Sequence, residues 1–353
     1  MQQIVFEKIG APDVLTLRNG ADPLPQPDEV LVRVRAAGVN FADVLARMGL
    51  YPDAPPPPLV LGYEVAGTVE ATGRDVRHVH VGDDVVALTR FGGYATHVTV
   101  AAPYVFRRPP DLSDVEAAAL PVNYLTALLA LYKLANVAAG ETVLIHGAGG
   151  GVGIAATQLA RLRRAIVLGA ASPKKHDALR ALGVDHPLDY RRGDLTEQVK
   201  RLTDGRGVDV ILDPIGGKSF EESYRLLAPL GRLVIYGISA IASGPKRSWW
   251  RAGRTVLQLR SFKPLSLINR NRGVFGLNLA HLWDEQRQLH DAMLFLIDEL
   301  RAKRIAPAIA RSFPLAAADD AHRFLQSRAN VGKVVLTCGD FDRGSAYGSP
   351  SAV

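Results

Sequence analysis

The sequence predicts an α/β fold in which a β-rich part accompanies a doubly wound, six-stranded parallel sheet. Three observations lead to this prediction. Alternating strand patterns fill the first third of the chain, strands alternate with helices from Thr142 onward, and a glycine-rich turn joins the first of these later strands to a helix. With 353 residues, the chain is long enough for two domains of ordinary size.

Strand-like segments separated by turns make up the first third. Residues 30–35 alternate between valine and other residues in the period-two pattern of a half-buried strand. Further strands are predicted at 65–71, 84–88 and 95–100. Ser113 and Glu116 stand at capping-box spacing and predict a short helix, and a longer apolar helix is predicted over 123–135.

The pattern changes to alternation of strands and helices at Thr142. Strands are predicted at 142–146, 165–169, 185–188, 208–212, 232–236 and 256–260, and helices at 151–163, 174–182, 194–203 and 217–227. Strands joined by helices of this length form a parallel sheet with helices on both faces. After residue 273 we expect a strand at 274–279, helices at 284–303 and 316–328, and a last strand at 332–337.

The glycine-rich turn is the most informative motif. Gly147, Gly150 and Gly153 recur at three-residue spacing between a strand and a helix. Glycines let the backbone approach a pyrophosphate closely, and the helix N-terminus faces it with free N–H groups and a partial positive charge. The motif therefore predicts a dinucleotide site.

Composition limits the function further. The chain is 48% hydrophobic and 22% charged, as is typical of a globular protein, and we see no apolar run of membrane-spanning length. Its one cysteine, Cys338, excludes a disulfide within the chain, so we expect a cytoplasmic location. The net charge of +7 favours anionic small molecules, whereas no zinc-finger spacing or long basic run indicates nucleic acid.

Four further observations concern the segments Ala36–Asp43, Leu61–Val69, Gly147–Gly153 and Gly332–Leu336. These segments resemble the medium-chain dehydrogenase/reductase superfamily, in particular its zinc-free quinone-oxidoreductase branch. Within that branch, Leu120–Thr126 and Pro264–Arg272 resemble the synaptic-vesicle-membrane-protein type. The resemblance extends to about residue 338.

The resemblance implies a GroES-like catalytic domain, built from both chain ends, around a central Rossmann domain. We expect the first part of the catalytic domain at 1–123, the Rossmann domain at 124–272, the returning catalytic part at 273–338 and a disordered tail at 339–353. It also implies a homodimer in which strand 274–279 pairs with its copy.

No metal is expected. Zinc-dependent relatives hold the catalytic metal with a Cys and a His where this chain has Asn40 and Tyr63. A structural zinc in that superfamily needs four thiolates, and the chain has one thiol.

The expected cofactor is NADPH. The second strand of the parallel sheet is followed by Ser172, Lys174 and Lys175, with no carboxylate before Asp177. Hydroxyl and ammonium groups suit a ribose 2′-phosphate, whereas an acid there binds the 2′-hydroxyl of NADH. Asp177 leaves NADH open as the alternative. Relatives place a tyrosine against the phosphate at the position of Tyr190.

Further cofactor contacts follow from the resemblance. The glycine-rich loop contributes Gly147, Ala148, Gly150, Gly151, Val152 and Gly153, and later segments contribute Ile215, Gly216, Gly237, Ile238, Asn330 and Lys333.

Without a metal, the easier hydride acceptors are quinones and α,β-unsaturated carbonyls, whose negative charge spreads onto an oxygen that neutral donors can hold. The candidate catalytic donors are Asn40, Tyr51, Tyr63 and Asn123. Asp43 and Glu64 are expected to hold these side chains in place.

The acceptor itself stays open. The basic segment between Lys246 and Arg272 is either an exposed surface or a dock for the phosphates of a coenzyme A thioester, which would make an enoyl-CoA the substrate. The sequence leaves two alternative functions open. One is an NADPH-binding protein that associates with acidic membrane surfaces and has little catalysis. The other is a secondary alcohol dehydrogenase.

Overall fold

A computed structural model describes residues 1–191, 194–242, 244, 253–255, 257–259 and 261–339. The strands are β1 (Gln2–Phe6), β2 (Thr16–Asn19), β3 (Glu29–Val39), β4 (Leu59–Val60), β5 (Glu64–Thr72), β6 (Asp84–Leu88), β7 (His97–Ala101), β8 (Val105–Arg107), β9 (Thr142–His146), β10 (Ile166–Ala171), β11 (His186–Asp189), β12 (Val208–Asp213), β13 (Leu227–Ile235), β14 (Gly273–Gly276), β15 (Ile309–Pro314) and β16 (Lys333–Thr337).

The α-helices include all those that the sequence predicts, and also Phe41–Arg47 and Pro264–Arg270, which it does not predict. The α-helices are α1 (Phe41–Arg47), α2 (Asp114–Ala117), α3 (Pro121–Leu128), α4 (Gly151–Leu162), α5 (His176–Ala181), α6 (Leu195–Leu202), α7 (Lys218–Leu226), α8 (Pro264–Arg270), α9 (Gln286–Arg301) and α10 (Ala318–Gln326). Short 3₁₀ helices cover Pro12–Val14, Ala102–Tyr104, Pro173–Lys175, Ser239–Ala242, Leu279–His281 and Leu315–Ala317, and a π-helix covers Leu129–Leu134.

The parallel sheet has the strand order β11-β10-β9-β12-β13-β14. Val143 and Ile145 of β9 face one apolar cluster, whereas Leu144 faces another that includes Val199 of α6 and Tyr224 of α7. Both faces of the central strand are therefore buried, which explains its continuous apolar sequence. The mixed α/β fold with a six-stranded parallel sheet confirms the predicted fold class.

The sixth strand of this sheet differs from the prediction. It is β14, which pairs with β13 in the register Leu233 to Val274. Residues 257–259 form no strand, and residues 256 and 260 lie outside the described residues. The prediction of a strand at 256–260 is wrong, because a short run of alternating apolar residues does not distinguish a strand from a helix. The domain boundaries remain a prediction.

The β-rich part is built from both ends of the chain. Its larger sheet has the order β15-β16-β3-β5-β6-β8, with β7 also paired to β3. The C-terminal strand β16 runs antiparallel to β3, with Val334 opposite Val39. This pairing carries Lys333, from one end of the chain, to the neighbourhood of Asn40, from the other.

One helical segment of the described residues, Asp114–Leu134, is long and apolar enough to cross a membrane by length and composition. The sequence predicts no membrane-spanning run, whereas this segment meets the length and composition criteria once its short helices are taken together. In the fold, 78% of its most apolar window is buried, as in the core helix of a soluble protein. The helix predicted over 123–135 is α3, which begins at Pro121 and continues as the π-helix Leu129–Leu134.

Candidate active site

A cleft of about 1510 Å³ lies where the carboxyl ends of β9, β10, β12 and β13 meet α1 and the segment before β5. The carboxyl edge of a parallel sheet is where ligands bind in doubly wound folds. Most predicted site residues line this cleft. They are Asn40, Tyr51, Tyr63, Asn123, Gly147, Gly150, Gly151, Val152, Gly153, Ser172, Lys175, Tyr190, Ile215, Gly237, Ile238, Asn330 and Lys333.

Three predicted residues do not line the cleft. Ala148 is fully buried in the core, and Lys174 is exposed away from the cleft. Gly216 is buried, with a φ of 89° that a side chain rarely adopts, and a Cβ there would lie 2.5 Å from Ile238. Gly216 thus permits close packing beneath Ile238, which does line the cleft.

The glycine-rich loop has the geometry of a phosphate cradle. Gly147 turns the chain after β9 with a φ of 65°, and α4 starts at Gly151 with its N-terminus at the cleft. A Cβ at Gly151 would lie 2.3 Å from the Asn123 amide nitrogen, so the loop packs closely against α3. These features fit the pyrophosphate of a dinucleotide.

Three cations gather beside this loop. Lys175 donates from Nζ to the carbonyl of Asn330 at 2.5 Å, and Arg191 and Arg328 also line the cleft. Burial, followed by the charges of Arg191 and Arg328, lowers the pKa of Lys175. Within the described part of the chain none of the three forms a salt bridge. A bound anion would relieve their mutual repulsion.

Sequence reasoning missed both arginines. Arg191 follows Tyr190 directly, and its Nε lies 3.3 Å from the Tyr190 hydroxyl. The prediction of Tyr190 as a phosphate contact did not extend to Arg191, although the two residues are adjacent in the sequence. Arg328 comes from the loop after α10, and no local motif marks it. Only the fold brings it beside Lys175.

The opposite side of the cleft contains a buried ion pair. The Lys333 ammonium lies 2.5 Å from Glu64 Oε1 and 2.6 Å from Asn40 Oδ1. Asn40 donates its amide to the same Glu64 oxygen at 2.9 Å, and the second Glu64 oxygen accepts the backbone N–H of Val122 at 2.8 Å. Lys333, Glu64 and Asn40, hereafter the buried triad, therefore satisfy one another.

Two phenols beside the buried triad are less constrained. Tyr51 is half-buried, and its hydroxyl has one long contact of 3.5 Å to Asn278 Oδ1. The Tyr63 hydroxyl is buried and has no hydrogen-bond partner among the described residues. Their rings contact edge to face, with centroids 6.2 Å apart.

Both phenols stay protonated at neutral pH. Burial and the nearby charges of Asp53 and Asp43 raise the pKa of Tyr51 to about 12. Burial, with smaller contributions from Asp43 and other neighbours, also raises the pKa of Tyr63. A protonated phenol is a hydrogen-bond donor, so each of them is able to hold a negatively charged oxygen.

The described residues contain no group of three or more His, Cys, Asp or Glu side chains arranged to hold a metal. Cys338 is buried, and burial raises its pKa to about 12. A thiol of this kind is a poor metal ligand because the thiolate is the form that binds.

Comparisons with known proteins agree with this architecture. Residues 26–110 match the family described as "Alcohol dehydrogenase GroES-like domain", and residues 182–336 match the one described as "Zinc-binding dehydrogenase". The human "Synaptic vesicle membrane protein VAT-1 homolog" is 39% identical over 339 residues, which are 95% of this chain and 86% of that protein. The Danio rerio homolog is 41% identical over 89% of this chain, and the match spans 65% of its own length.

The chain belongs to the medium-chain dehydrogenase/reductase superfamily. Among solved structures, the quinone oxidoreductase of Escherichia coli complexed with NADPH has a TM-score of 0.84 and 29% identity, and the match covers 96% of this chain and all of that one. The CurK enoyl reductase has a TM-score of 0.84 and 30% identity, with 96% of this chain and 99% of that one covered. The protein is thus an oxidoreductase of this superfamily.

Proposed function

We propose that the protein is an NADPH-dependent, zinc-independent reductase that transfers a hydride to a quinone or to the C=C bond of an α,β-unsaturated carbonyl. The observation that carries this proposal is the pairing of a cationic cofactor side with two protonated phenols across one cleft. Two proteins of similar structure, a quinone oxidoreductase complexed with NADPH and an enoyl reductase, are named for the same classes of chemistry.

The glycine-rich loop and the three cations support NADPH. The loop and the N-terminus of α4 would hold the pyrophosphate, and Lys175, Arg191 and Arg328 would surround the 2′-phosphate, together with Ser172 and Tyr190. NADPH would supply the hydride. Ile215, Gly237, Ile238 and Asn330 line the cleft and would contact the rest of the cofactor.

Tyr51 and Tyr63 would stabilise the acceptor. Hydride addition to the β-carbon of an enone, or to a quinone, leaves negative charge on an oxygen. Two phenol donors in a cleft with a mainly apolar wall are suited to hold that oxygen. Asn123 lines the same cleft, but its amide donates to Ala119 O at 3.3 Å.

Asn40 takes a different role in this proposal. Its amide nitrogen and oxygen are both engaged in the buried triad, so it contributes mainly by placing Lys333 and Glu64 behind the phenols. The Lys333 ammonium would act from there as a fixed positive charge near the reacting oxygen. Lys333 would also contact the cofactor, because this residue lines the cleft.

Zinc independence is supported by the chemistry of the same residues. Asn40 and Tyr63 replace two ligand types that zinc prefers, and an ammonium lies 2.6 Å from Asn40 Oδ1. A second, divalent cation beside this ammonium would be repelled. A secondary alcohol dehydrogenase, which uses a metal to polarise a simple ketone, fits these residues less well.

The experiment is NADPH consumption by the chelator-treated protein with three acceptors: a quinone, a simple enone and a short enoyl-CoA. Rapid turnover of any of them is expected, and the preferred acceptor identifies the substrate class. Tight NADPH binding without turnover of any acceptor would contradict the reductase proposal. A preference for enoyl-CoA would support the coenzyme A dock. Half of the eight basic residues of that segment, Lys246, Arg247, Arg251 and Arg260, lie outside the described residues.

We also propose a cytoplasmic homodimer. β14 is an edge strand of the parallel sheet, so its free edge is available to pair with its copy. Sedimentation of the intact protein should give twice the chain mass. Substituting Val274 by proline, which removes a backbone donor from this strand, should shift the protein towards monomer.

Association with an acidic membrane surface is the second candidate function. α8 has no buried residue, and its Leu265 and Ile268 side chains are 72% and 68% exposed beside Lys263 and Arg270. Apolar and basic side chains on one exposed helix are typical of membrane-surface contact. Co-sedimentation with anionic vesicles at low salt, lost in the double variant Leu265→Asp/Ile268→Asp, would support it. Equal sedimentation of both proteins would exclude α8 as the contact.

A further inference from the structure

A chain of buried polar side chains leads away from the candidate site into the core. Its members are Asp43, Tyr94, His322 and Arg47, all of them fully buried. They come from α1, from the segment before β7 and from α10. Apart from Asp43, none was singled out by the sequence, and none lines the cleft.

Asp43 joins the two loops that carry the candidate donors. One carboxylate oxygen accepts the backbone N–H of Asn40 at 2.8 Å, and the other accepts the backbone N–H of Gly62 at 3.0 Å. Gly62 directly precedes Tyr63 and Glu64. A single carboxylate therefore fixes the start of α1 against the loop of the phenol Tyr63.

The third partner of Asp43 begins a relay. The Tyr94 hydroxyl lies 3.0 Å from Asp43 Oδ2 and 3.2 Å from His322 Nε2. His322 Nδ1 lies 3.3 Å from Arg47 Nε. The Arg47 guanidinium also donates to the carbonyl of Gly10 at 2.5 Å and to Gln326 Oε1 at 2.7 Å, so its orientation is fixed.

The direction of the relay follows from what each group can donate. A guanidinium only donates, so His322 Nδ1 must be the acceptor and carry no proton. The neutral imidazole then has its proton on Nε2 and donates to the Tyr94 oxygen. Tyr94 has one proton, and it donates this proton to Asp43.

We propose that Arg47, His322 and Tyr94 form a one-directional hydrogen-bond relay that holds Asp43 as a carboxylate, and that Asp43 thereby positions the loops of Asn40 and Tyr63. All three groups within hydrogen-bond distance of Asp43 are donors in this arrangement. A protonated Asp43 would need an acceptor, and Tyr94 could accept only if His322 moved its proton to Nδ1, against the Arg47 N–H. Asp43, Tyr94, His322 and Arg47 are thus positioning residues.

Above about pH 7 the charge states agree with this direction. Burial raises the pKa of Asp43 to about 7, and the hydrogen bonds from Asn40, Gly62 and Tyr94 and the charge of Lys333 oppose the rise, so the carboxylate is the main form from about that pH upward. Burial and the Arg47 charge hold the pKa of His322 well below its usual range, so the ring is neutral. The other ionisable groups that act on this cluster are Glu64, Tyr51, Tyr63, Asp13 and Arg323.

The first test is the ¹⁵N NMR spectrum of the histidine side chains in the intact protein, with His322 assigned from the His322→Gln variant. The relay requires a neutral ring protonated at Nε2 above about pH 7, where Asp43 is mainly a carboxylate. A ring protonated at Nδ1, or a doubly protonated ring near neutral pH, would overturn it. The positioning role rests on the proposed function, but this measurement needs no activity.

The second test is the pH dependence of stability in Tyr94→Phe. A carboxyl whose pKa is higher in the folded than in the unfolded state binds more protons when folded, so stability falls as pH rises from the unfolded pKa to the folded pKa. Removing the Tyr94 donor raises the folded pKa of Asp43 above about 7. The decline should then continue to higher pH in the variant.

The ratio of the folding equilibrium constant of Tyr94→Phe to that of the wild type should therefore decrease as the pH rises above about 7. The decrease should be at most about tenfold per pH unit. Tyr132→Phe is the matched control, since the hydroxyl of this half-buried residue also makes one hydrogen bond, to the Leu159 carbonyl at 2.9 Å. The loss of stability in this variant should not change with pH. A Tyr94→Phe deficit that is equally constant would overturn the relay. If Tyr94→Phe does not fold, the NMR measurement on the wild type decides.

Discussion

The two sides of the cleft satisfy their polar groups in opposite ways. On the proposed cofactor side, Lys175, Arg191 and Arg328 lie together without an acidic partner among the described residues. On the proposed catalytic side, the buried triad and Asp43 satisfy their hydrogen bonds almost completely within the protein. The cofactor side, as proposed, is thus suited to receive an anion, whereas the catalytic side, as proposed, is a preformed support.

This difference predicts different consequences of substitution. Removing a cation from the cofactor side removes a contact to a ligand, and the free protein gains from reduced repulsion. Removing a group from the buried triad leaves its partners buried and unsatisfied, which destabilises the fold itself. Removing a phenol hydroxyl should affect neither the fold nor cofactor binding strongly, because the Tyr63 hydroxyl has no hydrogen-bond partner among the described residues.

The largest effect is expected for Lys333→Met. This change leaves Glu64 as an uncompensated buried charge, and we expect a loss of about 3–5 kcal/mol in the free energy of unfolding, measured with urea. Lys218→Met, on an exposed lysine of α7, is the control. The double variant Lys333→Met/Glu64→Gln should lose less than Lys333→Met alone. A loss below about 1 kcal/mol in Lys333→Met would mean that the pair is exposed to water.

A smaller but specific effect is expected for the phenols. The double variant Tyr51→Phe/Tyr63→Phe removes both donors to the acceptor oxygen and should lower kcat by about 10²- to 10³-fold. Stability and the Kd for NADPH should change little, because neither hydroxyl has a strong partner in the protein. The single variants Tyr51→Phe and Tyr63→Phe show how much each hydroxyl contributes to kcat. An unchanged kcat in the double variant would remove the phenols from the mechanism. Tyr132→Phe controls for the loss of a half-buried tyrosine hydroxyl elsewhere in the protein.

The smallest effect is expected for Lys175→Met. The Kd for NADPH should rise by about 10- to 100-fold, as for the loss of one hydrogen bond to a charged group, and the Kd for NADH should rise less. Lys174→Met is the informative comparison. The sequence treats the two lysines alike, whereas the structure places Lys175 in the cleft and leaves Lys174 outside. Equal effects of both variants, measured by fluorescence titration, would contradict this assignment.

The same contrast explains which features the sequence could predict. The glycine-rich loop is local: Gly147, Gly150 and Gly153 lie in one strand–turn–helix unit, and the fold places them as expected. The buried triad joins Asn40 and Glu64 to Lys333 across the chain, and only the pairing of β16 with β3 brings them together. The Arg47–His322 contact spans 275 residues, so no local pattern marks it.

The sixth strand of the parallel sheet was misassigned for a related reason. The sequence predicts a strand at 274–279, and β14 lies there with valine and phenylalanine at its centre. That this strand, rather than residues 256–260, completes the sheet follows from its pairing with β13, which no local pattern marks.

The most direct test of the central claim is hydride transfer in a single turnover, in which protein-bound NADPH is mixed with the preferred acceptor in the presence of a chelator. We predict that oxidation of the nicotinamide proceeds at the same rate with chelator and with added zinc, and that it slows in Tyr51→Phe/Tyr63→Phe. Loss of transfer in the chelator, with recovery on adding zinc, would show that a metal rather than the phenols supports the reaction.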